Sequence, residues 1–324
     1  MWLLYILVSV VAASDRNCPV QPSENTHPML KTIAPVHVRH LTSNTFPLNP
    51  KARLVPAKCV DTEKGFDYQL FIHDPAECVF LSGNLFFYKN WECRNIQNII
   101  STLSSSPHGN RTTFMDIGAN LGTYTIPVAT AGFRVVGFEP MQYNHELLAA
   151  SIGTFGFSES VHIYPTAVSN STSTHCLSPT SDDNKGNGQI VDCKDAVRNG
   201  WTHQTISSRT IDDVVAHHDL CYTVVKADVE GFELQAFQGA LQTVFESDCP
   251  PEMVLFEHHQ GWKEPAIFEF MTQKGYQCAR FSLSDYKCVP FGKPLAKHDQ
   301  SYWDNLSEKT IEHTNNMVNQ VKNE

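Results

Sequence analysis

The chain has 324 residues, 41% of them apolar and 18% charged, enough to bury a core and not the composition of a disordered chain. With 24 Lys and Arg against 34 Asp and Glu, the formal net charge is −10, and no Lys/Arg run forms a local basic groove. That balance excludes a non-specific nucleic-acid binder or a basic membrane-surface protein, because phosphate would be repelled.

The first residues, Met1 to Ser14, form one apolar run that stops at Asp15-Arg16. It is shorter than the roughly 20 apolar residues of a spanning helix, and it ends in Ala12, Ala13 and Ser14. The run predicts a signal peptide over residues 1–14, cleaved after Ala13 or Ser14. The second reading is an uncleaved membrane anchor. All 10 Cys follow this segment, with no C-x-x-C and no zinc-finger spacing, so disulfides are expected rather than a structural metal. Asn110-Arg-Thr, Asn170-Ser-Thr and Asn305-Leu-Ser are glycan acceptor patterns. The expected localisation is therefore the secretory pathway, either lumenal or extracellular, with no stable membrane insertion after cleavage.

Residues 15–65 are polar and punctuated by His and Pro, and read as an extended arm. Residues 66–110 read as an N-terminal extension. It holds short β-type runs at Tyr68–Ile72, Val79–Leu81 and Leu85–Tyr88, then a helix on which Ile96, Ile99, Ile100 and Leu103 recur. From 111 to 292 strands and helices alternate. Strands are expected at Thr113–Ile117, Arg134–Phe138, Val161–Tyr164, Tyr222–Ala227 and Met253–Phe256. Helices are expected from the glycine turn to Ala131, at Asn144–Ser151, after Ala227 with Phe237, Leu241, Val244 and Phe245 on one face, and at Pro265–Lys274. Tyr276–Phe281 and Tyr286–Phe291 read as a final hairpin, across which Cys278 and Cys288 are expected to pair. The Ser/Asp/Asn/Gly-rich stretch 170–205 reads as a long exposed excursion, and residues 293–324 as a polar tail. Such βα alternation implies a largely parallel sheet with helices on both faces.

The chemistry concentrates in Phe114-Met-Asp-Ile-Gly-Ala-Asn-Leu-Gly-Thr123. A glycine turn after a strand lets a ligand approach the backbone, and the next strand ends in Glu139, where an acid can accept from ribose hydroxyls. Asn120 and Thr123 stand where a dinucleotide fingerprint needs small residues, which disfavours a nicotinamide cofactor. Asp116, an acid at the strand end, suits a cationic ligand instead.

The ordered motifs Asp116-Ile-Gly-Ala-Asn-Leu-Gly, Phe138-Glu-Pro, Ala167-Val-Ser, Thr210-Ile-Asp-Asp and Lys226-Ala-Asp-Val-Glu-Gly-Phe-Glu resemble the FkbM-type S-adenosylmethionine-dependent methyltransferases, over roughly residues 66–291. The resemblance implies a class I methyltransferase fold, which is a Rossmann-like, mostly parallel seven-stranded sheet with a C-terminal antiparallel hairpin. It implies S-adenosylmethionine as cofactor and, from family habit, O-methylation of a hydroxyl on a glycan or small metabolite. It places Asp116, Gly118, Asn120, Gly122, Thr123, Glu139, Pro140 and Asp228 around the cofactor. Asp228 and Glu230 stand where the methyl group is presented. His258 of the His258-His259 pair joins them as a candidate proton acceptor, since His titrates near neutral pH. Glu257 reads either as a ligand-facing acid or as a plain strand end, and no metal is expected. The contrasting reading is a secreted, disulfide-stabilised binding protein that keeps the fold and has lost catalysis. Pro127 departs from helix preference unless it lies in the first turn.

Overall fold

The computed structural model describes residues 50–59, 66–179, 188–200, 203–258, 265–282 and 284–295. The expected signal segment, most of the arm, the sequon at Asn305, His259 and most of the tail lie outside the described residues.

Strands β3 (Thr112–Ile117), β4 (Arg134–Phe138), β5 (Val161–Tyr164), β10 (Cys221–Ala227) and β11 (Met253–Glu257) run parallel. With the hairpin β12 (Tyr276–Arg280) and β13 (Asp285–Pro290) they form one seven-stranded sheet in the order β12-β13-β11-β10-β3-β4-β5. Strands β3 and β10 are buried along their whole length, which explains their near-continuous apolar sequence. The class I architecture is thus the observed one. Two cores flank the sheet. Phe114, Val135, Ile163, Val224 and Leu255 face one, and Met115, Ile117, Phe138, Val225 and Phe256 face the other, as period-two alternation requires.

Three segments differ from their sequence reading. Arg53–Cys59, inside the stretch read as an arm, is strand β1, paired antiparallel with β2 (Phe66–Ile72). Val55, Ala57 and Cys59 are buried and alternate with exposed neighbours. Pro56 obscures that alternation, and is tolerated because this is a two-stranded ribbon with open edges. Val79–Tyr88 is not β: Leu81–Tyr88 forms helix α1, which buries Leu81 and Leu85 one turn apart and ends at left-handed Lys89. Residues 170–205 are not a plain excursion. Strands β7 (Ser173–Pro179), β8 (Gly188–Val191) and β9 (Gln204–Arg209) join β6 (Ala167–Val168) in a second sheet, with helix α5 at Cys193–Asn199. Its core is small, built on Ala167, Leu177 and Ile206, so the apolar signal in the sequence is weak.

Helix α2 (Cys93–Ser104) packs on β3 and β10 of the main sheet and buries Ile96, Ile99 and Leu103. Pro127 is the third residue of helix α3 (Thr125–Thr130), within the first turn, where the missing N–H has no intrahelical partner to lose. The expected long helix after β10 breaks at Gly239. A Cβ there would lie 2.1 Å from the Ser169 carbonyl oxygen, and the chain continues as a π-helical turn at Leu241–Phe245.

Four disulfides link Cys59–Cys93, Cys176–Cys193, Cys221–Cys249 and Cys278–Cys288. The last is the pair expected across the final hairpin. The others tie β1 to α2, staple the second sheet, and anchor the start of β10. Disulfides persist in oxidising compartments, so these four point to an extracytoplasmic environment. Loop-closure entropy ranks their effects. Replacing Cys59 and Cys93 by Ser opens a loop with a sequence separation of 34 and is expected to cost about 3–4 kcal/mol. Opening the Cys278–Cys288 loop, with a separation of 10, is expected to cost about 2.5–3 kcal/mol. Urea denaturation of each double variant checks the order, and an equal or reversed order would refute it.

Candidate active site

The C-terminal ends of β3, β4, β10 and β11 come together, and the candidate residues are found there. Gly118 begins the turn after β3 with φ +83, a conformation that favours glycine. A Cβ at this position would meet the Asp228 carbonyl oxygen at 1.9 Å. The turn and the end of β10 are therefore in direct backbone contact, reinforced by Asp228 N donating to Ile117 O at 2.9 Å. Asn120 is left-handed with φ 51, tolerable for Asn, and its Oδ1 accepts from Leu121 N at 2.8 Å. Gly122 has φ +87 and packs under Leu148 and Ile126. Thr123 is buried behind the turn.

Asp116 is 1% exposed. One carboxylate oxygen accepts from Thr125 Oγ1 at 2.6 Å, while Oδ1 is buried without a hydrogen-bond partner. Burial raises its pKa above the ordinary range, against the lowering pull of Lys226. Glu139, at the end of β4, is also buried and accepts two backbone N–H groups, from Asn120 and from Met141, both at 2.7 Å. Burial lifts its pKa to about 7, the two N–H bonds opposing. A carboxylate has about four acceptor positions, so two occupied by N–H groups leave capacity for hydroxyl donors. The carbonyl of Pro140 accepts from Gln204 Nε2 at 3.1 Å, and Gln204 Oε1 accepts from Gln142 N at 3.3 Å. The second sheet thereby grips the loop that carries Glu139.

On the β10 side, Asp228, Glu230 and Glu257 bring carboxylate oxygens within 4.8 Å of one another, and are the described residues that could share a cation. Glu230 holds φ 54, a conformation that costs a non-glycine residue of order 1 kcal/mol. The loop is fastened by buried Glu233, which accepts from Val229 N at 3.0 Å and Gly231 N at 3.2 Å. His258 is placed elsewhere. Its ring packs against Phe268, Tyr286 and Phe256, members of the second core. Glu257, one residue earlier, joins the acids instead, with Ser284 Oγ donating to its Oε1 at 2.7 Å.

Several residues here are not among the expected site residues. A cavity with room for one water-sized group is lined by Asn95, Tyr124, Lys226, Glu257 and Asp285. Lys226 is 6% exposed. Its Nζ donates to Asp228 Oδ2 at 3.1 Å and lies 4.6 Å from the Tyr124 ring centroid. Burial pulls its pKa down, but Asp228, Asp116, Glu92 and Asp285 outweigh this and hold the ammonium above the usual lysine range. Tyr124 Oη donates to Glu92, whose carboxylate turns inward from a surface position, and Asn95 Nδ2 donates to Tyr124 Oη at 2.9 Å. Two signals were available for Lys226: it opens the motif Lys226-Ala-Asp-Val-Glu-Gly-Phe-Glu, and it is a charged residue inside the otherwise apolar run Tyr222–Ala227. Glu92, Asn95 and Asp285 had none.

The Glu139 pKa has a thermodynamic consequence. An acid raised from 4.5 to about 7 on folding keeps a proton that the unfolded chain releases earlier. Its contribution to stability is full below about pH 4.5 and is lost as pH rises through about 7. Glu139→Gln is expected to remove about 2–3 kcal/mol of the fall in stability between pH 5 and pH 7.5. Urea denaturation of both proteins at the two pH values checks this, and parallel pH profiles would show a carboxylate ionised throughout.

Among solved structures, the FkbM methyltransferase of Methylobacillus flagellatus KT is 14% identical with a TM-score of 0.39, over 61% of this chain and 59% of that one. The present chain thus spans under two thirds of that protein's length. Magnesium protoporphyrin IX methyltransferase from Synechocystis PCC 6803, solved with bound S-adenosylmethionine, is 12% identical with a TM-score of 0.33, over 61% and 78%. A human methyltransferase 10 domain containing protein is 10% identical with a TM-score of 0.36, over 62% and 81%. No curated protein matches the chain in sequence. The family model of the methyltransferase FkbM domain matches residues 116–278, just over half of the 324 residues and the stretch that holds the glycine turn, Glu139 and the β10 acids, and the chain belongs to this family of S-adenosylmethionine-dependent methyltransferases.

Proposed function

We propose that this chain O-methylates a hydroxyl group, on a glycan or a small metabolite, in an oxidising compartment of the secretory pathway. The observation that carries the reading is the buried Asp116 carboxylate. Its unpartnered Oδ1 lies at the end of β3, where the glycine turn begins. A buried acceptor without a donor costs stability, and a ligand carrying an ammonium group would supply the missing donor. The residues present therefore suit S-adenosylmethionine, which when bound supplies an electrophilic methyl group on a cationic sulfur.

The chain's own residues divide the work. Gly118 and Gly122 keep the turn free of side chains, so a ligand can reach the backbone. Glu139, already oriented by two N–H donors, accepts the ribose hydroxyls. Asp228, held by Lys226, accepts the hydrogen bond of the acceptor hydroxyl and takes its proton as the new bond forms. Glu257 is the better candidate than His258 for a second proton acceptor, because it faces the acids while the His258 ring packs among aromatic side chains. The disulfides and the exposed Asn110 and Asn170 sequons support the compartment. The net charge of −10 argues against a nucleic-acid acceptor.

Calorimetric titration of the oxidised protein with S-adenosylhomocysteine and with NAD is the test. Binding of the first and not the second is expected, and the reverse would overturn the reading. Glu139→Ala is expected to weaken S-adenosylhomocysteine binding by about 1.5–3 kcal/mol, since hydrogen bonds to a charged acceptor are lost. Asp228→Asn should leave that affinity within about threefold while turnover on an identified acceptor falls by roughly 10²–10⁴. Unchanged turnover would move proton removal to Glu257, Glu230 or water.

A further inference from the structure

Lys226 is the one basic residue lining the cavity beside the β10 acids among the described residues. It is buried, and it is fixed from two sides. Asp228 accepts from its Nζ at 3.1 Å, and the Tyr124 ring lies 4.6 Å away. Tyr124 is itself tied to Glu92 and Asn95, and Asn95 Nδ2 reaches Asp285 Oδ2 at 3.5 Å. Four chain segments, from α2, the glycine turn, β10 and β13, thus converge on one ammonium. Carboxyl groups outnumber the ammonium here. Asp116, Asp228, Glu92 and Asp285 all act electrostatically on this single cation, so the end of the site is rich in acid even with Lys226 in place.

Methyl transfer changes the ligand's charge at this same end. The acceptor oxygen's electron pair forms the carbon–oxygen bond, the methyl–sulfur pair returns to sulfur, and the hydroxyl proton passes to a carboxylate. The donor is therefore cationic at sulfur, and the product is a neutral thioether. A fixed protein charge nearby acts on the first and scarcely on the second. Uncompensated acids would hold the donor tightly, and that attraction would have to be given up in the transfer, raising its barrier.

We propose that Lys226 sets the relative affinity of the site for S-adenosylmethionine and S-adenosylhomocysteine, offsetting the surrounding carboxylates so that the cationic donor is not over-stabilised. This rests on the functional reading above. Lys226 acts here as a positioning and charge-balancing residue, through its field and its hold on Asp228.

The test is calorimetry of the oxidised full chain at low ionic strength, with both ligands and three variants. The ratio Kd(S-adenosylmethionine)/Kd(S-adenosylhomocysteine) is the readout. Lys226→Met removes the cation and is expected to lower the ratio by about tenfold, the effect of one charge in a medium of effective dielectric about 20 after screening. Lys226→Arg restores it to within about twofold, because the charge returns. Asp285→Asn removes an acid and is expected to raise the ratio by about threefold to fivefold. That variant decides the matter alone should Lys226→Met not fold. A merely structural lysine would weaken both ligands together and leave the ratio unmoved, which would overturn the proposal, as would equal signs for Lys226→Met and Asp285→Asn. If the unaltered protein binds neither ligand, the functional reading falls and this proposal with it. If it binds both and the ratio is insensitive to the variants, this proposal alone falls.

Discussion

The backbone of Gly118 and the carbonyl of Asp228 approach so closely that no side chain fits between them. This contact joins two loops that the chain separates by more than a hundred residues. One follows β3 and offers a turn for an adenosyl ligand. The other follows β10 and carries the acids at which a methyl group would be received. Their relative position is set by the β3–β10 ladder, which pairs Asp116 with Lys226 and Ile117 with Ala227. Because both strands are buried on both faces, a one-residue slip would exchange the side chains that pack into the two cores and disrupt both. The chemistry at the strand ends therefore inherits its geometry from packing several residues away.

Burying Asp116, Glu139 and Glu233 close to the half-exposed Asp228 is energetically costly, and the surroundings show how the cost is met. Glu139 and Glu233 each accept two backbone N–H groups, which substitute fixed dipoles for lost water. Asp228 has Lys226. Asp116 has Thr125 on one oxygen only. The incompletely paired acid is thus the one at the start of the glycine turn, where a cationic ligand is expected. A structure kept only for stability would gain from pairing or replacing that group. Its persistence is the physical argument for a ligand rather than an empty scaffold.

The parallel core is legible in the sequence because its strands are short, nearly all apolar and each ended by an acid or a glycine. Thr113–Ile117, Arg134–Phe138, Tyr222–Ala227 and Met253–Phe256 all match observed strands to within a residue or two. The cofactor-side residues are legible for the same reason: Asp116, Gly118, Gly122 and Glu139 stand at fixed offsets from strands. What is not legible depends on contacts distant in sequence. Among the described residues, the second sheet's own apolar cluster is built on Ala167, Leu177 and Ile206, so it is specified largely by pairing and by the Cys176–Cys193 link. Strand β1 hides behind Pro56. Helix α1 holds Gly83 and Asn84 and gains its stability from the core it covers. His258 and Glu257 differ by one position on a strand end, and period-two alternation sends them to different surroundings.

The cavity around Lys226 is the least legible part because it is assembled from outside the shared domain. Glu92 and Asn95 come from helix α2 and the turn before it, upstream of the matched region, and Asp285 comes from the final hairpin, beyond it. Disulfides fasten both of these elements: Cys93, the first residue of α2, is tied to β1, and Cys278 is tied to Cys288 across the hairpin. The covalent links thus hold the walls that face the acids, whereas the cofactor turn is held by strand packing and backbone hydrogen bonds.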